Sequence, residues 1–363
     1  MNVEQLVKKH YFPNAEVASY ERYGNGHIND TYLLVIGGAE KKRFILQRIN
    51  TSIFKDPDGL MRNFVAVTEY LKAELRHSGG DCERGTLSVI PTVSGANFAS
   101  EGGESWRLLD FVERSMCYDM VETPEQFYMS AVAFGDFQHK LKDFPAEELT
   151  ETIPNFHNTP DRFKKFLEAV ELDVAGRVKD VLPEIDFVKV RESFAWTLER
   201  AHAEGKLPLK VTHNDTKLNN ILFDADSGKA LCIVDLDTVM PGYSVNDFGD
   251  SIRFGATTAV EDEADLSLVN FDINLYELYV KGFIEGAAGG LSEGEIELLP
   301  VGAMMMTYEC GMRFLTDYIS GDTYFRVHRE GHNLDRARNQ FKLLSDMEES
   351  FEEMKNIVKK YAK

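Results

Sequence analysis

The stretch Val211-Thr212-His213-Asn214-Asp215-Thr216-Lys217-Leu218-Asn219-Asn220 decides how this chain is read. It spells His-x-Asp-x-x-x-x-Asn after an apolar run. A predicted strand over 231–234 follows and delivers a second acid, Asp235. A carboxylate for an attacking hydroxyl, with an Asn and a second carboxylate for metal, is the layout of a phosphoryl-transfer site. A lone Asp or Asn in a loop is ordinarily a turn residue. These residues at these offsets, between two apolar strands, are poorly explained as turns.

Within that layout Asp215 is the candidate general base, accepting a hydrogen bond from the substrate hydroxyl and taking its proton late in transfer. Asn220 and Asp235 are candidate Mg²⁺ ligands, both hard oxygen donors suited to a cation that keeps several waters. Asp237 would share a strand face with Asp235, and there it either takes a second metal or accepts backbone hydrogen bonds. Asp247-Phe248-Gly249 spells the kinase metal motif in the wrong place, after Met240-Pro241-Gly242, so Asp247 reads as a cap or loop brace. His213 lacks partner ligands at metal spacing and is expected to pack and hold the loop.

Acids outnumber bases 60 to 40 for a formal charge of −20, which argues against nucleic acid or an anionic membrane as partner. A bound divalent cation would relieve the conflict between that charge and ATP. The apolar fraction, 43%, is ordinary for a globular protein. Cys82, Cys117, Cys232 and Cys310 are widely spaced and read as buried thiols of a reducing compartment. The N-terminus lacks a signal-peptide core, and the longest apolar stretch, 298–306, is too short to span a bilayer. The expectation is a cytoplasmic protein, and a monomer.

The first third reads as strands over 17–23, 31–36 and 43–49, a helix over 57–76, and strands over 87–92 and 106–112 around a Gly-rich turn at 94–104. This predicts a five-stranded sheet with one helix. From Pro124 the periodicity becomes helical: Phe127, Ala131, Phe134 and Leu141 line one helix, and Phe187, Phe194 and Leu198 part of another. Further helices are predicted over 271–285, 292–319 and 333–361. The expected class is α+β, a protein-kinase-like two-lobe fold. A small β-rich N-lobe spans 1–113, a hinge 114–123, and a larger mainly helical C-lobe 124–363.

On the nucleotide side, Gly24-Asn25-Gly26-His27-Ile28-Asn29 separates the first two strands, and Gly24, Asn25, Gly26 and Asn29 are candidate phosphate contacts. Gly-Asn-Gly is equally an ordinary hairpin turn. A protein kinase carries a Lys on the third strand; here Gln47 or Arg48 stands there, and strand register decides whether Arg48 serves as the cation or faces solvent. Adenine is expected against the backbone near Glu113.

His213-x-Asp215-x-x-x-x-Asn220 followed by Ile233-Val234-Asp235 resembles the aminoglycoside phosphotransferase and choline kinase superfamily. Within it the chain is more similar still to the bacterial N-acetylhexosamine 1-kinases. Further carriers of the likeness are Tyr23-Gly24-Asn25-Gly26-His27-Ile28-Asn29, Gln47-Arg48-Ile49-Asn50, Leu60-Met61-Arg62-Asn63, Asp235-Leu236-Asp237-Thr238 and Glu309-Cys310-Gly311-Met312-Arg313. The resemblance implies transfer from ATP with Mg²⁺ to the C1 hydroxyl of N-acetylglucosamine or N-acetylgalactosamine. It also implies a sugar pocket at His27, Asp215, Arg313 and Tyr324. Arg48 departs from the family, where Gln is expected. Taken without the resemblance, Arg313 reads equally as an ion-pair partner of Glu309 one turn away, and Tyr324 as a core cover. Two other readings are a kinase for a cationic alcohol such as choline or an aminoglycoside, and a nucleotide-binding regulatory protein without turnover.

Overall fold

The computed structural model describes residues 2–24, 28–38, 41–118 and 120–362. Contacts divide the chain into two compact units: Met1–Met116 with Glu147–Pro154 and Leu222–Met240, and Cys117–Ala146 with Asn155–Ile221 and Pro241–Lys363. This division differs from the expected boundary at 113–124. Two later segments join the first unit for physical reasons given below.

The first unit opens with a helix that the sequence reading did not expect, α1 (Val3–His10), capped by Asn2. There follow β1 (Val17–Arg22), β2 (Asp30–Ile36), β3 (Lys42–Ile49), α2 (Pro57–Ser78), β4 (Val89–Ile90), β5 (Ala99–Glu101), β6 (Glu104–Asp110) and β7 (Ser115–Met116). The sheet has six strands in the order β1-β2-β3-β6-β4, with β5 added beside β6. The stretch predicted as a Gly-rich turn therefore contains a strand. Side chains alternate across the pleat. Phe44 and Leu46 of β3, Leu34 of β2, and Trp106 and Leu108 of β6 form one buried core with Leu6, Val7 and Tyr11 from α1 and the turn after it. The Tyr11 hydroxyl donates to the Trp106 carbonyl at 2.7 Å.

α2 starts at Asp56, which caps Gly59 N–H, has Pro57 in its first turn, and stops at Gly79 in the left-handed region (φ 73°). It lies on the opposite sheet face, where Arg107 of β6 sits over the Phe64 ring, 4.8 Å from its centroid.

After β8 (Lys210–Thr212), which belongs to the second unit, the chain returns to the first in a hairpin, β9 (Ile221–Asp224) and β10 (Ala230–Ile233). β9 pairs with β7, Ser115 opposite Asp224 and Met116 opposite Phe223. Segment 147–154 joins through Asn63, whose amide donates to the Thr150 carbonyl at 2.7 Å and accepts Thr150 N–H at 2.9 Å.

The second unit is mainly helical, with α3 (Pro124–Lys140), α4 (Thr159–Leu172), α5 (Leu182–Lys189), α6 (Glu192–Ala195) and α7 (Thr197–Ala203). After β11 (Met240–Gly242) come α8 (Ser244–Gly255), α9 (Ile273–Ala287), α10 (Glu293–Ile319), α11 (His332–Glu349) and α12 (Phe351–Tyr361). Phe187, Phe194 and Leu198 thus lie on three short helices, not one. The run predicted over 333–361 breaks at Ser350 (φ −92°, ψ 6°). α8 and α10 approach through glycine: a Cβ on Gly249 would lie 2.2 Å from the Gly302 carbonyl oxygen. No helix among the described residues is long and apolar enough to cross a membrane. Cys232 and Cys310 are buried, but Cys82 is half-buried and Cys117 exposed, against the expectation of four buried thiols.

Candidate active site

In the second unit β8 hands the chain to a loop that α8 holds by its peptide groups. Asp247, in the first turn of α8, accepts His213 N–H and Asn214 N–H, each at 2.8 Å, and the Gln138 amide at 2.9 Å. Asp250, one turn on, accepts Thr216 N–H at 3.0 Å. The Thr216 hydroxyl donates to the Asp247 carbonyl at 2.6 Å. Burial pushes the Asp247 carboxyl above its ordinary range, while His213 and the N–H donors pull it back. Three loop amides thus find acceptors on one helix, which fixes the path of the backbone at Asp215. His213 is buried edge-on to Phe134 and Phe137, with centroids 5.6 and 6.0 Å away, and its Nδ1 accepts Asp215 N–H at 3.3 Å. Asn214 sits in the left-handed region (φ 64°), which Asn tolerates better than most side chains.

Asp215 keeps a quarter of its side chain exposed, with Oδ1 2.8 Å from Lys217 Nζ. The Asn220 amide donates to Asp215 Oδ2 at 3.0 Å and to its carbonyl at 2.8 Å. The carboxylate is thereby oriented from both oxygens. Asp215 pushes the Lys217 ammonium well above its ordinary range, and Asp250 adds to this against the effect of burial. Lys217 was not singled out from sequence, although it lies inside the deciding stretch two residues from Asp215. Asn220 commits its amide nitrogen to Asp215, which leaves its carbonyl oxygen as a hard donor for a cation.

His157 links this loop to α10. Its Nδ1 is 2.8 Å from Glu309 Oε1 and its Nε2 3.2 Å from the Asn214 carbonyl oxygen. The Thr159 hydroxyl donates to Glu309 Oε2 at 2.7 Å. Burial would raise the Glu309 carboxyl; the His157 charge and hydrogen bond, with Arg313 and Arg162, reverse this and hold it below its ordinary range. Glu309 is therefore committed to His157 and Thr159 and does not form the ion pair with Arg313 that spacing alone allowed.

Arg313 instead lies among rings, with its guanidinium carbon 5.6, 5.9 and 5.4 Å from the centroids of Phe156, Tyr324 and Phe325. Tyr324 is 61% exposed, so it does not cover a core. Asp317, one turn beyond Arg313, accepts the N–H groups of Thr323, Tyr324 and Phe325 and so pins the loop that carries Tyr324. Asp215, Arg313 and Tyr324 are thus tied together within one unit through His157 and Phe156. His27, Asn25 and Gly26 lie outside the described residues.

In the first unit β10 ends at Ile233, before the predicted end. Asp235 takes the left-handed conformation (φ 59°) and caps a 3-10 turn, Leu236–Thr238. Asp235 and Asp237 therefore do not share a strand face. Asp235 is exposed. Asp237 is buried, with one oxygen paired to Arg107 and the other accepting from the Asn29 amide. Its carboxylate is thus held by two side chains, not by backbone N–H groups. Among the described residues no group of three or more His, Cys, Asp or Glu forms a metal cluster.

On the nucleotide side, Arg48, Asn29 and Glu113 each have partners within the first unit. Arg48 faces the α1 side of the sheet, on the same parity as Phe44 and Leu46, and is paired with Asp30 and with Glu104 at 3.0 Å. Gln47 points the other way, where its carbonyl accepts Arg107 Nε at 2.8 Å. The basic residue on the Asp237 side is thus Arg107, hidden in sequence inside an apolar strand. Asn29 has its amide on Asp237 and accepts Asn50 N–H at 3.0 Å, so it braces the turn. Glu113 pairs with Arg43, and its carbonyl accepts Arg84 Nε at 3.1 Å. Neighbouring carbonyls are also occupied: Val112 by the Ser115 hydroxyl at 2.7 Å and Arg114 by Ala225 N–H at 2.9 Å. Gly24 is an exposed left-handed glycine (φ 73°) with open space around its Cα.

Among solved structures, the chain resembles a microcompartment-associated aminopropanol kinase (14% identity, 97% of this chain and 98% of that one, TM-score 0.60). It resembles an aminoglycoside phosphotransferase from Alicyclobacillus acidocaldarius (13%, 98% and 95%, 0.60). A third is a choline kinase from Cryptosporidium parvum Iowa II (13%, 99% and 98%, 0.57). At such identity these likenesses bear on the fold, which is α+β and protein-kinase-like. The profile of the phosphotransferase enzyme family, APH, matches residues 19–278, well over half of the sequence. The chain belongs to that phosphotransferase family.

Proposed function

We propose that the protein is an ATP- and Mg²⁺-dependent kinase that phosphorylates the anomeric C1 hydroxyl of N-acetylhexosamines, N-acetylglucosamine or N-acetylgalactosamine. One observation carries the choice of acceptor. Arg313, cradled by Phe156, Tyr324 and Phe325, stands in the same unit as Asp215 and is linked to its loop through His157. A cation with aromatic faces suits a neutral sugar, whose oxygens accept hydrogen bonds and whose C–H faces lie on rings. It disfavours choline or an aminoglycoside, each of which brings its own positive charge.

In this reading Asp215 is the general base for the C1 hydroxyl, a role typically worth ~10²–10⁴-fold in rate. Lys217 and Asn220 orient its carboxylate. Arg313, Tyr324 and His27 hold the sugar, and the backbone of Gly24, Asn25 and Gly26 contacts phosphate. Asn220 and Asp235 hold Mg²⁺, which when bound offsets the charge of the phosphates. Widely spaced cysteines and a formal charge of −20 agree with a cytoplasmic enzyme, and we place it there as a monomer.

ADP release in the presence of free N-acetylhexosamines, choline and aminoglycosides tests the proposal. Turnover of the N-acetyl sugars above the cationic alcohols supports it. Preference for a cationic alcohol, or Mg·ATP binding without ADP release for any acceptor, overturns it.

A further inference from the structure

Arg162 carries a feature that the reaction as drawn does not use. It lies in the first turn of α4, with Nε and Nη2 donating to the Phe156 carbonyl at 3.3 and 2.8 Å. Arg313 approaches the same residue from its ring side, 5.6 Å from the centroid. Two guanidinium groups therefore converge on Phe156. The neighbouring acids are turned elsewhere: Glu309 to His157 and Thr159, Asp161 to Lys165 at 2.7 Å. Neither arginine forms an ion pair with a carboxylate among the described residues. In a chain where acids outnumber bases 60 to 40, two adjacent cations without a paired acid are against the balance of charge. Burial, and then Arg313, lower the Arg162 guanidinium from its ordinary range, and Glu309, Tyr324 and Asp161 offset this only in part. The pair is close to the chemistry, because His157 follows Phe156 and reaches the carbonyl of Asn214, the residue before Asp215.

We propose that Arg162 is a specificity-determining residue. With Arg313 it keeps the acceptor side positive, so that neutral sugars are accepted and sugars bearing a 2-ammonium group are rejected. The inference rests on the functional reading above and deepens it: the N-acetyl group matters partly because it abolishes the amine's charge. A cation brought near one guanidinium that no carboxylate pairs with directly, in a partly solvated site, is disfavoured by about tenfold, and by more near two.

The test compares kcat/KM for N-acetylglucosamine, glucose and glucosamine at about pH 7. Glucose and glucosamine are close in size and differ at C2 in charge. The wild type is expected to use glucose at least ~10-fold better than glucosamine, and Arg162→Gln to shrink that ratio several-fold, while Arg162→Lys, which keeps the charge, retains it. Arg313→Gln reads the same ratio should Arg162→Gln fail to fold. Equal use of glucose and glucosamine by the wild type, or an unchanged ratio in a folded Gln variant, overturns the role of Arg162. Absence of wild-type turnover on N-acetylglucosamine instead overturns the functional reading itself, so the two failures are distinguishable.

Discussion

Arg107 and Asp237, 130 residues apart in the chain, form an ion pair whose side chains are 1% and 2% exposed. The pair ties the sheet to the turn that carries Asp235. Gln47 supports the arginine and Asn29 the aspartate, so both charges are met by further hydrogen bonds. Removing one member of a buried pair leaves the other charge uncompensated, which typically costs 3–5 kcal/mol. Arg107→Met is therefore expected to destabilise by roughly that amount. Removing both charges, in Arg107→Met with Asp237→Leu, should cost less than the single change. Urea unfolding of the two variants checks the ordering; equal losses would contradict a compensated pair.

The loop before Asp215 depends on Asp247. Asp247→Ala leaves the buried amides of His213 and Asn214 without acceptors. Each orphaned donor costs about 1–3 kcal/mol, partly offset because a buried carboxylate is also removed. We expect a net loss of roughly 2–4 kcal/mol for Asp247→Ala, a smaller one for Asp247→Asn, which keeps one acceptor, and a fall in kcat for both. Thermal melts alongside initial rates check this. Stability unchanged in Asp247→Ala would contradict the brace.

Acid stability carries a readable signature in the first unit. The Arg84 hydrogen bond, with those from Ser227, holds the Asp224 carboxyl at about 2, against an ordinary 3.8. A folded-state pKa below the unfolded one gives stability that is fully present above the unfolded value and is lost as pH falls through the folded one. The contribution of Asp224 is therefore present above about pH 4 and disappears toward about pH 2. In Arg84→Gln the part of the wild-type loss due to Asp224 should shrink within that window. Urea midpoints measured across it decide; the same slope in both proteins would contradict the assignment.

What was legible in sequence was local. The deciding stretch places Asn220 within hydrogen-bond reach of Asp215 because they share one short loop. β1, β2, β3, β6 and α2 follow from alternation, helical periodicity and the Pro57 start signal. What depended on distant partners was not legible. Whether Gln47 or Arg48 faces Asp237 turns on a one-residue strand parity. Arg107 looks like an interruption in an apolar strand until Asp237 arrives from the far hairpin. His157 sits in a polar run, and nothing local announces Glu309 on one side and Asn214 on the other. The short β5 was hidden by the glycines around it, and Ser350 carries no strong stop signal.

Transfer to the anomeric oxygen is tested most directly by the position of the new phosphate. ³¹P and ¹H NMR of the product from N-acetylglucosamine, Mg²⁺ and ATP should show a phosphorus coupled to the anomeric proton. The 1-O-methyl glycoside should give no product, and Asp215→Asn should lose ~10²–10⁴-fold in rate while remaining folded. A phosphate on any other hydroxyl, turnover of the 1-O-methyl sugar, or full activity in Asp215→Asn would contradict the account.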